Sequence, residues 1–483
     1  MSYLDLLKLA APEAVVVLTA LAVLTVGLVG QRAATFAPLI AVAGLVAAGR
    51  ALLMLPDQAA LFGGMLVITP LTVLFKLICL ALAVFTVVLA RNDTVPRHQT
   101  EFLALILLAT VGLMLLVGSE ELLMIFIGLE LTGLSLYLLT AFNKSDSRSA
   151  EAGLKYFLFG STASAFTLFG LSFVYGMCGA TSLAAIGEKL TAPPLPPLLA
   201  AGIVMTLIGL AFKVAAAPFH LWAPDTYQAA PVPSAAFIAS GSKVASFLVL
   251  GKILLIAFAS FQGSAEWGGV VAGWAPILAL LAALSIAIGN LAALAQTNVR
   301  RLLAYSAVAH AGYTLIGLLG GREGFSATLF YTTTYAFTLV GAFGVVGLVR
   351  RETGGDDFEH FIGLRARSPL LAGCMTVFML SLAGLPPLAG FFGKFYLFSA
   401  ALRTGDHHGL LWLVALALFG SLISLYYYLV ILKLVLIDEL KAATAVIDIP
   451  WLQRITVSAL AGAVLVLGTL PSMLASRILV SLR

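Results

Sequence analysis

Four charged side chains lie within or beside long apolar stretches, where chemistry would account for them better than solvation. Glu130 lies in GLELTGLSLY, Lys243 lies in ASGSKVASF, and Lys213 and Lys394 each adjoin an apolar stretch interrupted by proline. A charged residue at the bilayer centre costs about 2.5–3.5 kcal/mol on insertion scales. Burial favours the neutral form of either group, whereas a nearby opposite charge favours the charged form. A lysine that changes its distance from a glutamate can hold or release a proton, so this set predicts ion translocation.

Each of these residues also has a purely structural interpretation. Glu130 could be one partner of a structural ion pair, and the three lysines could extend their side chains to a membrane interface. Lys155 lies nearer to a helix end and four residues after Glu151, so these two side chains could simply pair on one helix face. The sequence leaves both interpretations open for every one of them.

Other charged residues near the apolar stretches fit structural roles. Lys76 and Lys252 are expected to extend to an interface. Glu120 and Glu121 fit a helix N-terminus, where the helix dipole favours anions. None of these four residues is assigned to translocation from the sequence.

Two of the six histidines are candidate proton relays, because an imidazole titrates near neutral pH. His220 lies between Pro218 and Pro224, in a stretch where a helix must break. His310 lies in SVAHAGY inside an apolar stretch, and its alternative role is that of a hydrogen-bonded helix residue.

The composition indicates which elements hold these residues. Of 483 residues, 61% are hydrophobic and 10% are charged, where a soluble domain carries about a quarter of charged residues. Such a chain has too little polar surface to cover a soluble core. One membrane span takes about 20 apolar residues, so the chain holds roughly fourteen spans. Since no stretch shows the alternation of a membrane barrel, the sequence predicts an all-α polytopic membrane protein.

Charge and cysteine spacing exclude several classes of function. The net charge of +5 comes from Lys and Arg placed singly or in pairs between apolar stretches. That pattern suits membrane orientation and argues against nucleic-acid binding. Cys79, Cys178 and Cys374 are far apart and form no CxxC pair, which argues against a disulfide framework, a zinc site or an iron–sulfur cluster. We therefore expect no metal and no cofactor on this chain.

Apolar stretches between polar breaks predict the spans. They are 12–30, 34–55, 66–90, 101–118, 121–142, 150–178, 197–217, 232–260, 272–295, 302–320, 325–349, 368–384, 409–436 and 452–474.

Prolines predict that the seventh and twelfth spans are broken. Around 213–228 the sequence reads KVAAAPFHLWAPDTYQ, and around 382–394 it reads LAGLPPLAGFFGK. Proline removes a backbone donor and clashes with the preceding turn, so each helix should end there. Broken backbone at membrane depth is tolerated only where protein or a water-filled cavity satisfies it.

The spacing of the two breaks, about five spans, predicts two five-helix repeats, the second inverted, as in many transporters. The predicted segments are 1–100 with helices 1–3, 101–260 with helices 4–8, 261–436 with helices 9–13, and 437–483 with helix 14.

Loop cations predict the orientation. Alternate loops carry Arg32, Arg91, Arg97, Lys144, Arg148, Arg300, Arg301, Arg350, Arg351, Arg365, Arg367, Lys441 and Arg454. The opposite side carries Lys8, Arg50, Lys189, Arg322, Arg403, Arg477 and Arg483. The richer side should be cytoplasmic, which places both termini on the outer side.

Three stretches resemble a known family. AFKVAAAPFHLWAPDTYQAAPVPSAAFIASGSKVASF, NLAALAQTNVRRLLAYSAVAHAGY and GLPPLAGFFGKFYLF closely resemble the subunit N family of bacterial proton-pumping NADH:quinone oxidoreductase, respiratory complex I. The resemblance covers essentially the whole chain. The sister L subunits are longer, with an extra lateral helix, and the sister M subunits have Glu where this chain has Lys394.

The resemblance implies roles for single residues. Glu130 matches the fifth-span glutamate and Lys213 the seventh-span lysine that pair in this family. Lys243 matches the central lysine, and Lys394 the twelfth-span lysine regarded as the exit-side proton site. Three further residues match positions treated as part of the route: Lys155, Glu151 and His220.

The energy for translocation must come from elsewhere, because moving one proton against 100 mV costs about 2.3 kcal/mol. The sequence has no phosphate-binding loop and no dinucleotide fingerprint. The resemblance implies that partners supply the energy: other membrane subunits of complex I, including antiporter-like ones, and an NADH- and quinone-binding arm with FMN and iron–sulfur clusters. It also implies a location in the bacterial inner membrane.

Two other functions remain open at this point. The chain could be the cation/proton antiporter subunit of a multisubunit sodium–proton antiporter, which shares this fold. It could also be a membrane scaffold that transports nothing, in which case replacing Glu130 or Lys213 by Gln or Met would be harmless.

Overall fold

The computed structural model describes residues 3–91, 98–190, 195–404, 409–439 and 447–482. The predicted orientation also relied on Arg97, Lys441 and Arg483, and these three residues lie outside the described ranges. Within them the chain is almost entirely helical, and each predicted apolar span overlaps a helix.

The first part of the chain contains a β-hairpin between helices. Its elements are α1 (Tyr3–Leu9), α2 (Ala11–Val29), α3 (Gln31–Ala34), α4 (Ala37–Leu53), β1 (Ala59–Leu61), β2 (Leu66–Ile68), α5 (Pro70–Ala90), α6 (Gln99–Val117), α7 (Leu122–Thr140), α8 (Ser147–Cys178), α9 (Leu183–Lys189), α10 (Pro197–Lys213), α11 (Trp222–Ala229) and α12 (Val232–Lys252), which continues as a π-helical turn (Ile253–Ala257).

The second part is helical in all its regular elements that the structure describes. They are α13 (Trp274–Leu294), α14 (Val299–Leu319), α15 (Gly321–Thr353), α16 (Leu364–Arg367), α17 (Pro369–Ala383), α18 (Ala389–Leu402), α19 (Leu411–Leu436), α20 (Trp451–Thr469) and α21 (Ser472–Ser481). Short 3₁₀ turns lie at Phe62–Gly64, Ala259–Phe261 and Phe358–Phe361.

The described residues include eleven helices long and apolar enough to cross a membrane, together with shorter apolar helices such as α4, α10, α17 and α18. The prediction of a helical polytopic membrane protein is confirmed. The breaks are also where the prolines predicted them, since α10 ends at Lys213 and α17 ends at Ala383. The exact number of fourteen spans and the division into inverted repeats stay predictions.

The β-hairpin is an element that the sequence analysis missed. β1 and β2 pair antiparallel, with Ala59 opposite Ile68 and Leu61 opposite Leu66. The turn needs positive φ at Gly63 and Gly64, which glycine adopts without strain. The predicted third span, 66–90, therefore begins only at Pro70, where a capping box between Thr69 and Thr72 starts α5.

Burial separates inner from outer helices. The apolar windows of α12 and α14 are 94% buried, whereas those of α2 and α8 are 33% buried. The inner helices therefore face protein on all sides, and the outer ones keep an apolar face for lipid or for a neighbouring chain. Lys243 lies on α12, so its surroundings are entirely protein.

Candidate functional site

The first break places Lys213 at the end of α10. After it, Ala215 has a φ of 59°, a left-handed conformation that costs energy for a residue with a Cβ. The exposed backbone groups find partners inside the protein: Ala217 N–H donates to Ser285 Oγ (2.8 Å) and Trp222 Nε1–H donates to Phe212 O (3.0 Å). The broken helix is thus held by packing, as backbone at membrane depth requires.

The second break holds Lys394. Gly384 ends α17 with a φ of 87°, and Gly390 N–H donates to Ser381 Oγ (3.2 Å). Lys394 Nζ, on α18, donates to the O atoms of Leu382 (3.1 Å) and Ala383 (3.0 Å), the last carbonyls of α17. Those carbonyls have no partner within their own helix and carry the negative end of its dipole, so they stabilise an ammonium group.

Glu130 and Lys213 lie close together without forming an ion pair in the described structure. Lys213 Nζ donates to Leu129 O (3.3 Å) and lies 5.9 Å from the ring centre of Tyr137. The Glu130 carboxylate instead accepts a short hydrogen bond from Ser164. The pairing that the family resemblance implied is therefore not present in this conformation, although the Lys213 side chain, from α10, reaches the backbone of α7 next to Glu130.

Lys243 and Lys394 are joined by aromatic rings. Lys243 Nζ lies 5.7 Å from the ring centre of Tyr335, which lies 4.8 Å from that of His310. On the other side His310 contacts Tyr313 at 5.6 Å, and Lys394 Nζ lies 5.1 Å from that ring. The structure thus places His310 between the two lysines, deep in the protein.

Both nitrogens of His310 are hydrogen-bonded to tyrosines. Nδ1 bonds the hydroxyl of Tyr331 and Nε2 bonds the hydroxyl of Tyr428 (3.0 Å), which also bonds Ser306. An imidazole between two phenols can accept a proton on one side and donate one on the other. The sequence analysis did not identify Tyr331 and Tyr428. The sequence feature that could have pointed to Tyr331 is its spacing from Tyr335, four residues later on the same buried helix.

Lys243 itself donates to a backbone carbonyl, Ala307 O, at 2.7 Å. It is 3% exposed, so it does not extend to an interface. The same holds for Lys213 and Lys394, at 7% and 5% exposure. The alternative that these three lysines extend to an interface is therefore wrong.

Lys155 belongs to a charged network at the first break. Lys155 Nζ contacts Glu151 (2.7 Å) and Asp225 Oδ2 (2.9 Å), and Arg301 Nη1 contacts Asp225 Oδ1 (2.8 Å). These residues, except Arg301, line an open pocket of about 610 Å³ together with Arg148 and Gln228. Asp225, on α11, is the centre of the network, and the sequence analysis overlooked it in the PD of HLWAPD.

His220 lies in the break and is 6% exposed. Its Nδ1 has no hydrogen-bond partner among the described residues, and its ring lies 6.4 Å from that of Tyr305. A buried imidazole nitrogen without a partner is available to a proton or a water molecule. The role of His220 stays a prediction.

The expectation that Lys76 and Lys252 extend to an interface is wrong. Both are buried, at 1% and 3% exposure, and both are paired: Lys76 Nζ with Glu13 (2.7 Å) and Lys252 Nζ with Glu120 (3.1 Å). The reason is that α1 and the β-hairpin cover this end of the bundle. The prediction for Glu121 is confirmed, since its carboxylate caps α7 by accepting from Met124 N–H (2.8 Å).

Within the described residues no cluster of three or more His, Cys, Asp or Glu side chains could hold a metal ion. The three cysteines are free and buried. The candidate site consists of lysines, carboxylates, tyrosines and the two histidines His220 and His310.

The chain is similar to known proteins in both sequence and structure. Residues 119–424 match the family described as NADH:quinone oxidoreductase/Mrp antiporter, TM. NADH-quinone oxidoreductase subunit N 2 of Acidobacterium capsulatum is 45% identical over 98% of both chains. A chain of respiratory complex I from Thermus thermophilus superposes with a TM-score of 0.80 at 34% identity, covering 96% of this chain and 98% of that one.

The chain is also similar in structure to a protein outside complex I. A chain of the membrane-bound sulfane sulfur reductase, an archaeal respiratory membrane complex, superposes with a TM-score of 0.87 at 25% identity, covering 98% of this chain and 97% of that one. The fold thus occurs in respiratory membrane complexes of different chemistry. On its sequence match and full-length identity, the chain belongs to the subunit N family of NADH:quinone oxidoreductase, among the antiporter-like membrane subunits.

Proposed function

We propose that this chain translocates protons as a membrane subunit of NADH:quinone oxidoreductase. The observation that carries the proposal is the position of His310 and its tyrosines between Lys243 and Lys394. Each ammonium group lies against a tyrosine ring that contacts His310, and His310 is hydrogen-bonded to two further tyrosine hydroxyls, so the space between the two lysines holds groups that can accept and donate protons.

Because their hydrogen-bond partners are backbone carbonyls, three of the lysines can change protonation state when their surroundings move. Lys213, Lys243 and Lys394 each donate to a carbonyl oxygen, and none has a carboxylate within ion-pair distance in the described structure. A buried ammonium held by dipoles alone is poorly compensated, so a small movement of a helix end changes which protonation state is favoured. Such lysines can take up and release protons as neighbouring helices move.

The proposed route begins at the pocket around Lys155 and Asp225, on the predicted cytoplasmic side. It continues past Glu130 and Lys213 to Lys243, and then through the His310 tyrosines to Lys394. Lys394 lines an open groove of about 1000 Å³ between α18 and α19, with Ser421 Oγ accepting its hydrogen bond at 2.9 Å. Water in this groove would carry the proton to the outer side.

The driving force would come from partner chains. Relatives of this chain are named as subunits of NADH-quinone oxidoreductase, and we infer the same assembly here: other antiporter-like membrane subunits and an NADH- and quinone-binding arm with FMN and iron–sulfur clusters. The complex would lie in the bacterial inner membrane with both termini of this chain on the outer side.

The test is Lys243→Ala and Lys394→Ala in the complete complex, reconstituted into vesicles. Removing a positioned proton-transfer group typically lowers a rate by about 10²–10⁴-fold, so NADH-driven proton uptake should fall accordingly. Lys433→Ala is the control, because Lys433 is 65% exposed at the end of α19. Uptake at the wild-type yield in both variants would refute the proposal.

Sodium–proton exchange is the second candidate, because the matched family includes Mrp antiporters. The same vesicles discriminate the two functions. If protons are the only transported ion, proton uptake is unchanged when sodium is replaced by potassium. A loss of uptake in sodium-free buffer would favour exchange.

A further inference from the structure

A second group of buried charges lies away from the proposed route. It consists of Glu13 on α2, Lys76 on α5, Lys252 at the end of α12 and Glu120 between α6 and α7; we call it the second charge cluster. Lys76 Nζ contacts Glu13 Oε1 at 2.7 Å, and Lys252 Nζ contacts Glu120 Oε1 at 3.1 Å. None of the roles derived above uses these four side chains.

The cluster lies at the end of the bundle where α2 and α5 begin, on the predicted outer side. The β-hairpin covers it through backbone hydrogen bonds to the loop after α6: Val67 N–H donates to Gly118 O (2.6 Å) and Glu120 N–H donates to Gly64 O (2.9 Å). Leu9, on α1, packs against the hairpin. The β-hairpin and α1 therefore shield the buried side chains of the cluster from solvent.

The two lysines are neighbours in the middle of the cluster. Lys252 Nζ donates to Val117 O (3.3 Å), and Lys76 Nζ lies against the next residue, where a Cβ on Gly118 would be 2.7 Å from it. Two ammonium groups held close together in a buried place repel each other, which favours the loss of one proton. Gly118 leaves the space that lets them approach.

The four side chains of the second charge cluster differ in their exposure to solvent. The side chains of Glu13, Lys76 and Lys252 are 9%, 1% and 3% exposed, whereas that of Glu120 is 33% exposed. The Glu13 carboxylate has no hydrogen bond in the described structure apart from its ion pair with Lys76. The cluster is therefore closed on the Glu13 side and open to solvent at Glu120.

A purely structural role explains this arrangement poorly. Burying an ion pair removes two charges from water, and apolar residues of similar volume are often as stable or more stable. Two such pairs placed with their cations adjacent add repulsion to that cost. The order Glu–Lys–Lys–Glu, with one end at solvent, instead suits a group that gives up a proton.

We propose that the second charge cluster is a proton-release site, a second exit beside Lys394. Lys252 is the donor: its N–H bond breaks as an O–H bond forms on the Glu120 carboxylate, and Glu120 then gives the proton to water. Lys76, kept charged by Glu13, repels the Lys252 ammonium and promotes the release. Glu13 and Lys76 are thus positioning residues, whereas Lys252 and Glu120 carry the proton.

The proton that restores Lys252 comes from Lys243, and here the inference rests on the proposed function. Both lysines lie on α12, nine residues or about 13 Å apart along the helix. Ser246 lies between them in the sequence, and its buried hydroxyl has no hydrogen-bond partner in the described structure. At 3.6 residues per turn, nine residues place Lys243 and Lys252 on opposite faces of α12, so the proton must pass around the helix between them. The π-helical turn directly after Lys252 is a feature that occurs frequently at functional sites.

The decisive variant is Lys252→Arg in the complete complex in vesicles. Arginine keeps the ion pair with Glu120 but does not release its proton. We expect proton uptake per NADH oxidised to fall at least about twofold, with the NADH oxidation rate of uncoupled vesicles unchanged. Lys189→Arg is the control, since Lys189, on the same predicted side, donates to a backbone carbonyl, Cys178 O (2.9 Å).

Glu120→Gln combined with Lys252→Met provides a second variant should Lys252→Arg fail to assemble, because the pair is removed without leaving a lone buried charge. It should lower the yield in the same way. A third variant, Glu13→Gln with Lys76→Met, removes the buried pair without leaving a lone charge; a structural pair predicts a full yield for it, and the proposed site predicts a reduced one.

Lys243→Ala, measured in parallel, separates the two proposals. If Lys243→Ala loses uptake while the assembled cluster variants keep the full yield, the second exit is refuted and the proposed function stands. If Lys243→Ala also pumps normally, the proposed function itself is wrong.

Discussion

Two sets of lysines inside this protein differ in what accepts their hydrogen bonds. Lys213, Lys243 and Lys394 donate to backbone carbonyls, and we call them the carbonyl-bound lysines. Lys76, Lys155 and Lys252 contact carboxylates, and we call them the carboxylate-paired lysines. The first set lies at helix breaks and in the centre of the bundle, and the second lies towards the ends of the helices.

The acceptor of the hydrogen bond determines whether a buried lysine is tied to a second charge. A carboxylate neutralises an ammonium fully, so that removing either partner leaves an uncompensated charge. A carbonyl dipole neutralises it only in part, so that the lysine can lose its proton without leaving another charge behind. Assembly should therefore depend on the buried carboxylate-paired lysines, whereas replacing a carbonyl-bound lysine should change transport without changing assembly.

The largest expected effect is on assembly. Glu13→Gln alone leaves Lys76 buried without its counter-ion, which typically costs about 3–5 kcal/mol, so the amount of assembled complex should fall sharply. Adding Lys76→Met should restore assembly. Lys243→Met, which breaks no ion pair, should assemble at the wild-type level. Native gel electrophoresis of solubilised membranes measures all three, and equal assembly of Glu13→Gln and wild type would remove the distinction between the two sets.

The next effect concerns the tyrosines between Lys243 and Lys394. Tyr331→Phe removes the hydroxyl bonded to His310 Nδ1, and proton uptake in vesicles should fall several-fold because the imidazole loses one of its two partners. Tyr335→Phe is the matched control, since the Tyr335 hydroxyl is buried without a partner in the described structure, while its ring contacts Lys243. If the two variants behave alike, the hydrogen bond to His310 does not carry protons.

The carbonyl-bound lysines could be found from the sequence, and so could the pairing of Lys155 with Glu151 four residues before it, whereas the pairing of Lys76 and Lys252 could be judged only from the structure. Long apolar stretches flank Lys243 on both sides. Its depth in the membrane can therefore be estimated by counting residues to the ends of its predicted span. Lys252 lies eight residues before the end of its predicted span, where the sequence gives no sign of a covering element. Lys76 lies near the middle of its predicted span, so counting residues should have placed it as deep as Lys243. Strands of three residues, such as β2, look like part of an apolar span, and the third predicted span included it.

The breaks were predictable because proline acts locally on its own helix. The partners of the breaks were not, because Ser285 and Ser421 come from other parts of the chain and are ordinary residues in their own stretches. A sequence shows which residue is out of place in an apolar stretch. It does not show which distant side chain meets it.

A smaller effect is expected at a carboxylate paired with arginines outside the spans. Arg300 and Arg350 hold the pKa of the Asp356 carboxyl below its usual value, although burial opposes them. Because the folded pKa is lowered, this stabilisation is present at neutral pH and is lost as the pH falls below about 4. Asp356→Asn should therefore destabilise the protein by about 1.5–3 kcal/mol at pH 7.

The measurement is the midpoint of thermal unfolding of the purified complex between pH 7 and pH 3. The difference between wild type and Asp356→Asn should shrink steadily on acidification. A difference that stays constant with pH would mean that Asn removes packing or hydrogen bonds only, and that the charge of Asp356 adds nothing.

The smallest effect is expected at Lys155, the one carboxylate-paired lysine that water reaches, at 41% side-chain exposure. Ion pairs in contact with water contribute little and are screened by salt. Lys155→Gln should leave assembly unchanged and lower proton uptake by less than about twofold, because Arg301 still holds Asp225. Uptake by wild type at high salt should approach that of the variant. A loss as large as that of Lys243→Ala would instead make Lys155 an obligatory step, and a carboxylate partner at solvent would then not predict a small effect on transport.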